Sequence, residues 1–152
     1  MGSRTPKLTL SVQHAAPGHP LPTRRQLRAW AGAALERDAE VTLRVVHETE
    51  GRQLNHDFRG KDHATNVLTF AYSEPGEPVA AGDIVLCAPV VEAEASAQRK
   101  PLEAHYAHLV VHGMLHLQGY DHERDDEAAD MEARESQIVT ELGYPDPYAG
   151  GG

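Results

Sequence analysis

The chain has almost no cysteine and no long apolar run, and each shortage excludes a class of protein. Cys87 is the single cysteine among 152 residues, so an internal disulfide framework is impossible and a reducing compartment is expected. Because Cys87 follows three apolar residues, we predict a buried structural thiol rather than a nucleophile. No apolar run approaches the roughly 18 residues of a membrane span, and the first residues lack the apolar region of a secretory signal. We therefore expect a cytoplasmic protein without a membrane partner.

The size of the chain predicts one domain, and its charge is unevenly distributed. A chain of 152 residues with 40% hydrophobic content can form a single globular domain over residues 1–152, with a Gly/Pro-rich tail over 143–152. The net charge of -9 divides into +3 for residues 1–71 and -12 for residues 72–152. The first half can still present a basic surface to phosphates. The acidic residues between Asp121 and Glu135 are predicted to form a solvated helix face.

The hydrophobic periodicity predicts alternating strands and helices. Strand patterns occupy residues 8–12, 41–47, 66–72 and 83–87. Helical patterns begin at a Thr23–Gln26 capping box and recur over residues 48–58, 90–98, 102–118 and 125–142. This order predicts an α+β fold in which a small mixed β-sheet of about four strands packs with about five helices.

A candidate metal site lies at the end of the helix predicted over residues 102–118. His112 and His116 are four residues apart, so their side chains differ by only about 40° around a helix and can face one ion. His122 would point away on the same helix, but Gly119 can end the helix in a left-handed turn that brings His122 back. Three neutral imidazoles without a fourth protein ligand match catalytic zinc, which activates a bound water. We predict one Zn²⁺ per chain, bound by His112, His116 and His122.

Two further histidines lie on nearly the same stripe of this helix. His105 and His108 precede His112 by seven and four residues. They are candidates for hydrogen-bond donors around the metal ligands, and the alternative is that they are ordinary packed or exposed histidines.

The spacing of the three histidines and Gly119 reproduces the zincin-like motif of metzincin metallopeptidases, with one difference. Gly113 stands where those peptidases have the glutamate that acts as general base. A metallopeptidase is therefore an alternative that Gly113 disfavours.

Several separated segments resemble the bacterial YbeY endoribonucleases, also called rRNA maturation factors. The resemblance extends from about Val41 to Tyr148, which is most of the chain. The matching segments are Leu54-Asn55, residues 58–62, Thr65 to Phe70, Gly82 to Ile84, His108 to His122 and Leu142 to Tyr148.

The resemblance implies a zinc-dependent endoribonuclease that cuts single-stranded RNA. It also implies roles in maturing the 3′ end of small-subunit rRNA and in ribosome quality control, with the small subunit and assembly factors as partners. It adds Arg59 as a catalytic and RNA-binding residue. The chemistry of arginine supports this choice, because a guanidinium can bind two phosphate oxygens and stabilise charge developing on the phosphate. Lys61 is a second candidate phosphate contact. A nonenzymatic ribosome-assembly factor with a structural metal remains an alternative.

Overall fold

The computed structural model describes residues 5–60, 65–74, 76–120 and 124–148, apart from the side chain of Arg59. Four strands and five helices are present in this part of the chain, as the sequence predicts. In chain order they are β1 (Leu8–Ala15), α1 (Arg24–Ala33), β2 (Ala39–Val46), α2 (Glu48–Arg59), β3 (Val67–Ala71), β4 (Ala80–Cys87), α3 (Ala88–Ala97), α4 (Leu102–Leu117) and α5 (Asp125–Glu141).

The four strands form one mixed sheet, which confirms the predicted α+β fold. Their order is β1-β2-β4-β3. β1, β2 and β4 are parallel, and β3 pairs antiparallel to β4 at the edge of the sheet. The pairing of Thr69 with Ile84 lies at the centre of the β3–β4 register. Helix α4 packs against both β3 and β4 at this edge of the sheet.

The two faces of the sheet bury different clusters because successive strand residues point to opposite sides. Ile84 and Leu86 of β4 belong to the larger core, which includes Val110 and Met114 of α4. Val85 and Cys87 belong to a smaller cluster that Leu54 of α2 helps to cover. The prediction that Cys87 is a buried thiol is confirmed, since its exposed fraction is 2%.

The α1 helix begins as the sequence predicts. The Thr23 hydroxyl accepts a hydrogen bond from the Gln26 backbone amide at 3.0 Å, and the Gln26 side chain accepts one from the Thr23 backbone amide at 2.9 Å. This capping box satisfies two helix-terminal donors and directs Leu27, Trp30 and Ala31 into the core.

Residues 143–148, which the sequence assigns to a tail, pack against the helices. The Tyr144 ring meets Trp30 of α1 edge to face, with centroids 6.3 Å apart, and its hydroxyl donates to Glu103 of α4. The Asp146 carboxylate accepts hydrogen bonds from the Ser136 hydroxyl and the Tyr148 amide. The segment therefore brings Tyr148 back along α5 to α4.

Among the described residues, none of the helices combines the length and apolar character that crossing a membrane requires.

Gly82 allows the end of α4 to approach the sheet closely. A Cβ at this position would lie 2.7 Å from Leu117 Cδ2 and closer still to the Phe70 carbonyl oxygen. We expect Gly82→Ala to lower the free energy of unfolding by about 3 kcal/mol, because the backbone must shift to relieve the clash. Urea denaturation measures this change. Gly32→Ala is the matched control, since nothing lies within 4 Å of that Cβ; an equal effect of the two substitutions would contradict the packing argument.

Candidate functional site

Helix α4 is buried along most of its length, and histidines form its partly exposed stripe. From residue 104 to residue 117, only His108, His112 and His116 are partly exposed, while every other residue is buried. The three positions are spaced four apart, so they follow one side of the helix. The prediction that His112 and His116 share a helix face is confirmed, and His108 extends that face by one turn.

The protein fixes the orientation of both imidazoles through their Nδ1 atoms. His116 Nδ1 lies 3.1 Å from the Tyr120 carbonyl oxygen, and His112 Nδ1 lies 3.1 Å from Glu135 Oε2. A carbonyl oxygen and an ionised carboxylate can only accept, so each Nδ1 carries the proton and donates it. The Nε2 atom of each ring then holds the lone pair that can coordinate a metal. This pair of oriented imidazoles fits a zinc site, in which ligand histidines usually donate their other ring nitrogen to a protein acceptor.

The end of α4 confirms the glycine turn predicted from the sequence. Gly119 has a φ of 111°, in the left-handed region that glycine adopts without strain. The Gly119 amide donates to the His116 carbonyl and the Tyr120 amide donates to the Leu115 carbonyl, both at 3.1 Å. These two bonds close the helix end and turn the Tyr120 carbonyl back toward His116.

Glu135 of α5 is a site residue that the sequence analysis missed. Its exposed fraction is 1%, and its carboxylate accepts from three side chains: His108 Nε2 at 2.6 Å, Tyr148 hydroxyl at 2.8 Å and His112 Nδ1 at 3.1 Å. Burial alone would raise the pKa of this carboxyl, but the hydrogen bonds and charges of His108 and His112 outweigh burial and hold the pKa at about 2. The carboxylate is therefore ionised at neutral pH.

The prediction of a solvated acidic face over residues 121–135 is wrong at Glu135. Charge composition alone suggested solvent exposure, whereas helical spacing contains the opposite signal. Glu135 lies four residues after Met131 and three and four residues before Ile138 and Val139, and all three neighbours are buried. A carboxylate within an apolar stripe must accept hydrogen bonds from other protein groups, and the carboxylate of Glu135 does so.

His108 contacts Glu135, and His105 belongs to a different cluster. Of the two alternatives predicted for these histidines, His108 fits the first, because it donates a hydrogen bond to the carboxylate that also binds the predicted metal ligand His112. His105 Nε2 lies 2.9 Å from Glu94 Oε1, which also accepts from the Asn66 side-chain amide at 3.0 Å. His105 is 3% exposed, so it is a packed histidine that joins α4 to α3 and to the start of β3.

The remaining predicted site residues lie outside the described part of the structure. These are His122 and Lys61, together with the side chain of Arg59, whose backbone ends α2. Within the described ranges, no three His, Cys, Asp or Glu side chains are grouped so that they could bind a metal. The three-histidine ligand set therefore stays a prediction, of which the described structure contains the oriented pair His112 and His116.

The packing of Gly113 leaves little room for a side chain where the peptidases have their glutamate. A Cβ at Gly113 would lie 3.1 Å from two carbon atoms of Ile84, because α4 rests directly on β4 here. A side chain at this position would therefore point into the core. The geometry disfavours a catalytic carboxylate at residue 113.

The burial of His105 predicts a pH dependence of stability. Burial lowers the pKa of His105, and this effect outweighs the opposing influence of Glu94; Lys100 and His108 lower it further. Below the ordinary histidine pKa of about 6.5, the unfolded chain therefore binds a proton that the folded chain does not, and stability falls as pH falls. In His105→Gln, which keeps a donor for Glu94, the free energy of unfolding is expected to fall less between about pH 7.5 and 5.5. Urea titrations at several pH values measure this, and parallel pH profiles for the two proteins would refute it.

Comparison with known proteins supports one family. A family model described as Endoribonuclease YbeY matches residues 23–143. The chain is 58% identical over 146 residues to an "Endoribonuclease YbeY" of Aromatoleum aromaticum, covering 94% of each protein. It is also 58% identical to the protein of that name from Cupriavidus metallidurans, covering 94% of this chain and 74% of the relative. The solution structure of TM1509 from Thermotoga maritima aligns with a TM-score of 0.62 and 29% identity, covering 88% of this chain and 89% of that one.

Proposed function

This chain belongs to the Endoribonuclease YbeY family, and we propose that His112, His116 and His122 bind one zinc ion at the centre of its active site. It is an endoribonuclease, a hydrolase that cleaves phosphodiester bonds in RNA. The observation that supports the metal most directly is the orientation of His112 and His116 by acceptors on their Nδ1 atoms. When bound, zinc would supply Lewis-acid chemistry at the scissile phosphate.

Arg59 is proposed to bind the phosphate that is cleaved. It ends α2, and Gly60 closes the helix with a φ of 69°, in the left-handed region. A guanidinium at such a turn can donate to two phosphate oxygens and stabilise the charge that develops as water attacks. Lys61 is proposed as a further phosphate contact that lacks this paired geometry. With glycine at residue 113, the proton acceptor must come from a group other than a side chain at that position.

The preference for single-stranded RNA is supported by exposed aromatic side chains. Phe58, which precedes Arg59, is 66% exposed and packs edge to face on Phe70 with ring centroids 4.9 Å apart. Tyr148, whose hydroxyl donates to Glu135, is 40% exposed. Exposed aromatic rings can stack on unpaired bases, and each such contact contributes about 1–3 kcal/mol to binding. Bases within a duplex are already stacked and cannot use these contacts.

The biological role that we propose follows from the family resemblance. We propose that the enzyme matures the 3′ end of small-subunit rRNA and takes part in ribosome quality control. Its partners would then be the small ribosomal subunit and assembly factors, in the cytoplasm. The overall charge of -9 makes a local basic surface, rather than the whole protein, the basis for RNA contact.

Arg59→Ala tests the proposed catalytic role. We expect it to slow cleavage of a labelled single-stranded RNA by about a hundredfold, because the charge on the phosphate loses its stabilising partner. Arg59→Lys should recover only part of this rate, since an ammonium cannot bind two oxygens in a fork. Single-turnover rates with saturating protein measure the chemical step separately from RNA affinity.

Arg28→Ala is the matched control because it removes the same charge from an exposed position on α1. Metal-stripped wild type measures background ribonuclease. If Arg59→Ala weakened RNA binding but cleaved at the wild-type rate when saturated, Arg59 would be a docking residue, as in the assembly-factor alternative.

A further inference from the structure

We infer that Glu135 is a positioning residue of the metal centre, which orients His112 and strengthens it as a ligand through a carboxylate–imidazole hydrogen bond. This inference rests on the proposed metal site. It assigns a role to α5 and to the segment that follows it, neither of which contains a predicted ligand.

The two oxygens of the Glu135 carboxylate have different partners. Oε1 accepts from His108 Nε2 at 2.6 Å and from the Tyr148 hydroxyl at 2.8 Å, whereas Oε2 accepts from His112 Nδ1 at 3.1 Å. Two donors on Oε1 hold the plane of the carboxylate, so that Oε2 stays directed at His112. His108 and Tyr148 also contact each other edge to face, with ring centroids 5.4 Å apart, which restricts both donors.

The hydrogen-bonded cluster around Glu135 is costly for the stability of the fold. A carboxylate that is 1% exposed is expensive to desolvate, and well-packed apolar side chains often replace buried charged groups without loss of stability. His108 adds a second cost, because its buried Nδ1 has no hydrogen-bond partner among the described residues. Such costs are typical of functional sites, where orientation of a ligand outweighs stability.

The two metal-facing histidines differ in the charge of their acceptors. His116 donates to a neutral backbone carbonyl, that of Tyr120, whereas His112 donates to an ionised carboxylate. A carboxylate draws the Nδ1 proton more strongly and makes the opposite nitrogen more electron-rich. His112 is therefore the stronger metal ligand of the pair, and its strength as a ligand depends on Glu135.

The segment after α5 extends this dependence to Tyr148. Ser136, next to Glu135, donates its hydroxyl to Asp146 at 2.7 Å, and Asp146 accepts the Tyr148 backbone amide at 2.9 Å. These bonds fix the turn that returns the Tyr148 hydroxyl to Glu135. The chain after α5 thus contributes a hydrogen-bond donor, the Tyr148 hydroxyl, to the surroundings of the metal centre, although it contributes no metal ligand.

Zinc affinity measured by competition with a chromogenic chelator tests the inference. In the full-length protein, Glu135→Gln is expected to weaken zinc binding by about 10- to 100-fold, because the amide is neutral and has one acceptor oxygen in place of two. Glu132→Gln is the matched control, since it makes the same change at an exposed position one turn earlier on α5 and is expected to leave affinity unchanged. Thermal unfolding of the metal-free proteins records any structural effect separately.

Equal zinc affinity for Glu135→Gln and Glu132→Gln would overturn the inference. If Glu135→Gln fails to fold, Tyr148→Phe decides, because it removes one donor from Oε1 and is expected to weaken zinc binding by a smaller factor; unchanged affinity in that variant would overturn the inference as well. Wild type that binds no zinc would overturn the proposed metal site itself, and the inference with it, which distinguishes the two failures.

Discussion

Replacing His116 with alanine is expected to reduce RNA cleavage to the background level and to abolish zinc binding. His116 lies at the end of the histidine stripe on α4, and its ring is oriented by the Tyr120 carbonyl at 3.1 Å. Alanine removes the imidazole and leaves only His112 and the predicted His122, which are too few for a tight zinc site. The fold should persist, because the His116 side chain is partly exposed and its neighbours on α4 form the core without it.

Two measurements test this expectation: metal content after dialysis, and cleavage of single-stranded RNA by protein freed from contaminating ribonucleases. His14→Ala is the matched control, since it removes an exposed imidazole from β1, at the opposite edge of the sheet from β3. Equal cleavage by wild type and His116→Ala would refute the assignment of nuclease activity to this site. If zinc were lost at the same time, that result would also show that the metal is not needed for cleavage.

Introducing the missing glutamate at residue 113 is expected to destabilise the protein rather than create a peptidase. The Cβ of Gly113→Glu would already lie 3.1 Å from Ile84, so the carboxylate would enter the core between α4 and β4. Burying an unpaired carboxylate and overpacking a core are among the most destabilising changes, and the loss should exceed about 4 kcal/mol. A loss of this size is a large part of the total free energy of unfolding of a small domain.

The comparison for Gly113→Glu is Gly32→Glu, which makes the same substitution on α1 where nothing lies within 4 Å of the added Cβ. Urea denaturation should show little change for Gly32→Glu, and casein should remain uncut by both variants. A stable Gly113→Glu protein that hydrolyses casein would revive the metallopeptidase alternative that the histidine spacing suggests.

The success of the sequence predictions depended on whether a feature was local. The placement of His112 and His116 on one helix face and the turn at Gly119 follow from helical periodicity and from the conformational freedom of glycine, so a short stretch of sequence contains them. Strand and helix positions follow from similar short-range patterns. The strand order β1-β2-β4-β3 depends on long connections, and alternation of residues within one strand does not encode it.

The role of Glu135 was not predicted because its partners are distant in sequence. Tyr148 approaches from beyond α5, while His108 and His112 lie on α4, 27 and 23 residues before Glu135. Composition marked residue 135 as part of an acidic, solvated run, and only its position among buried apolar neighbours indicated otherwise. A polar residue in register with an apolar helix face is therefore a better guide to a buried site residue than local charge density.

The close packing of α4 on the sheet bears on how the proposed metal would be acquired. A Cβ at Gly82 would clash with the Phe70 carbonyl and Leu117, and one at Gly113 would press on Ile84 at 3.1 Å. These contacts hold α4 against the sheet without using its histidine stripe. The backbone of α4 thus sets the spacing of His112 and His116 independently of any ion. If zinc binds as proposed, this pair of ligands would need no refolding of α4, so the affinity of the site could be altered without altering the stability of the scaffold.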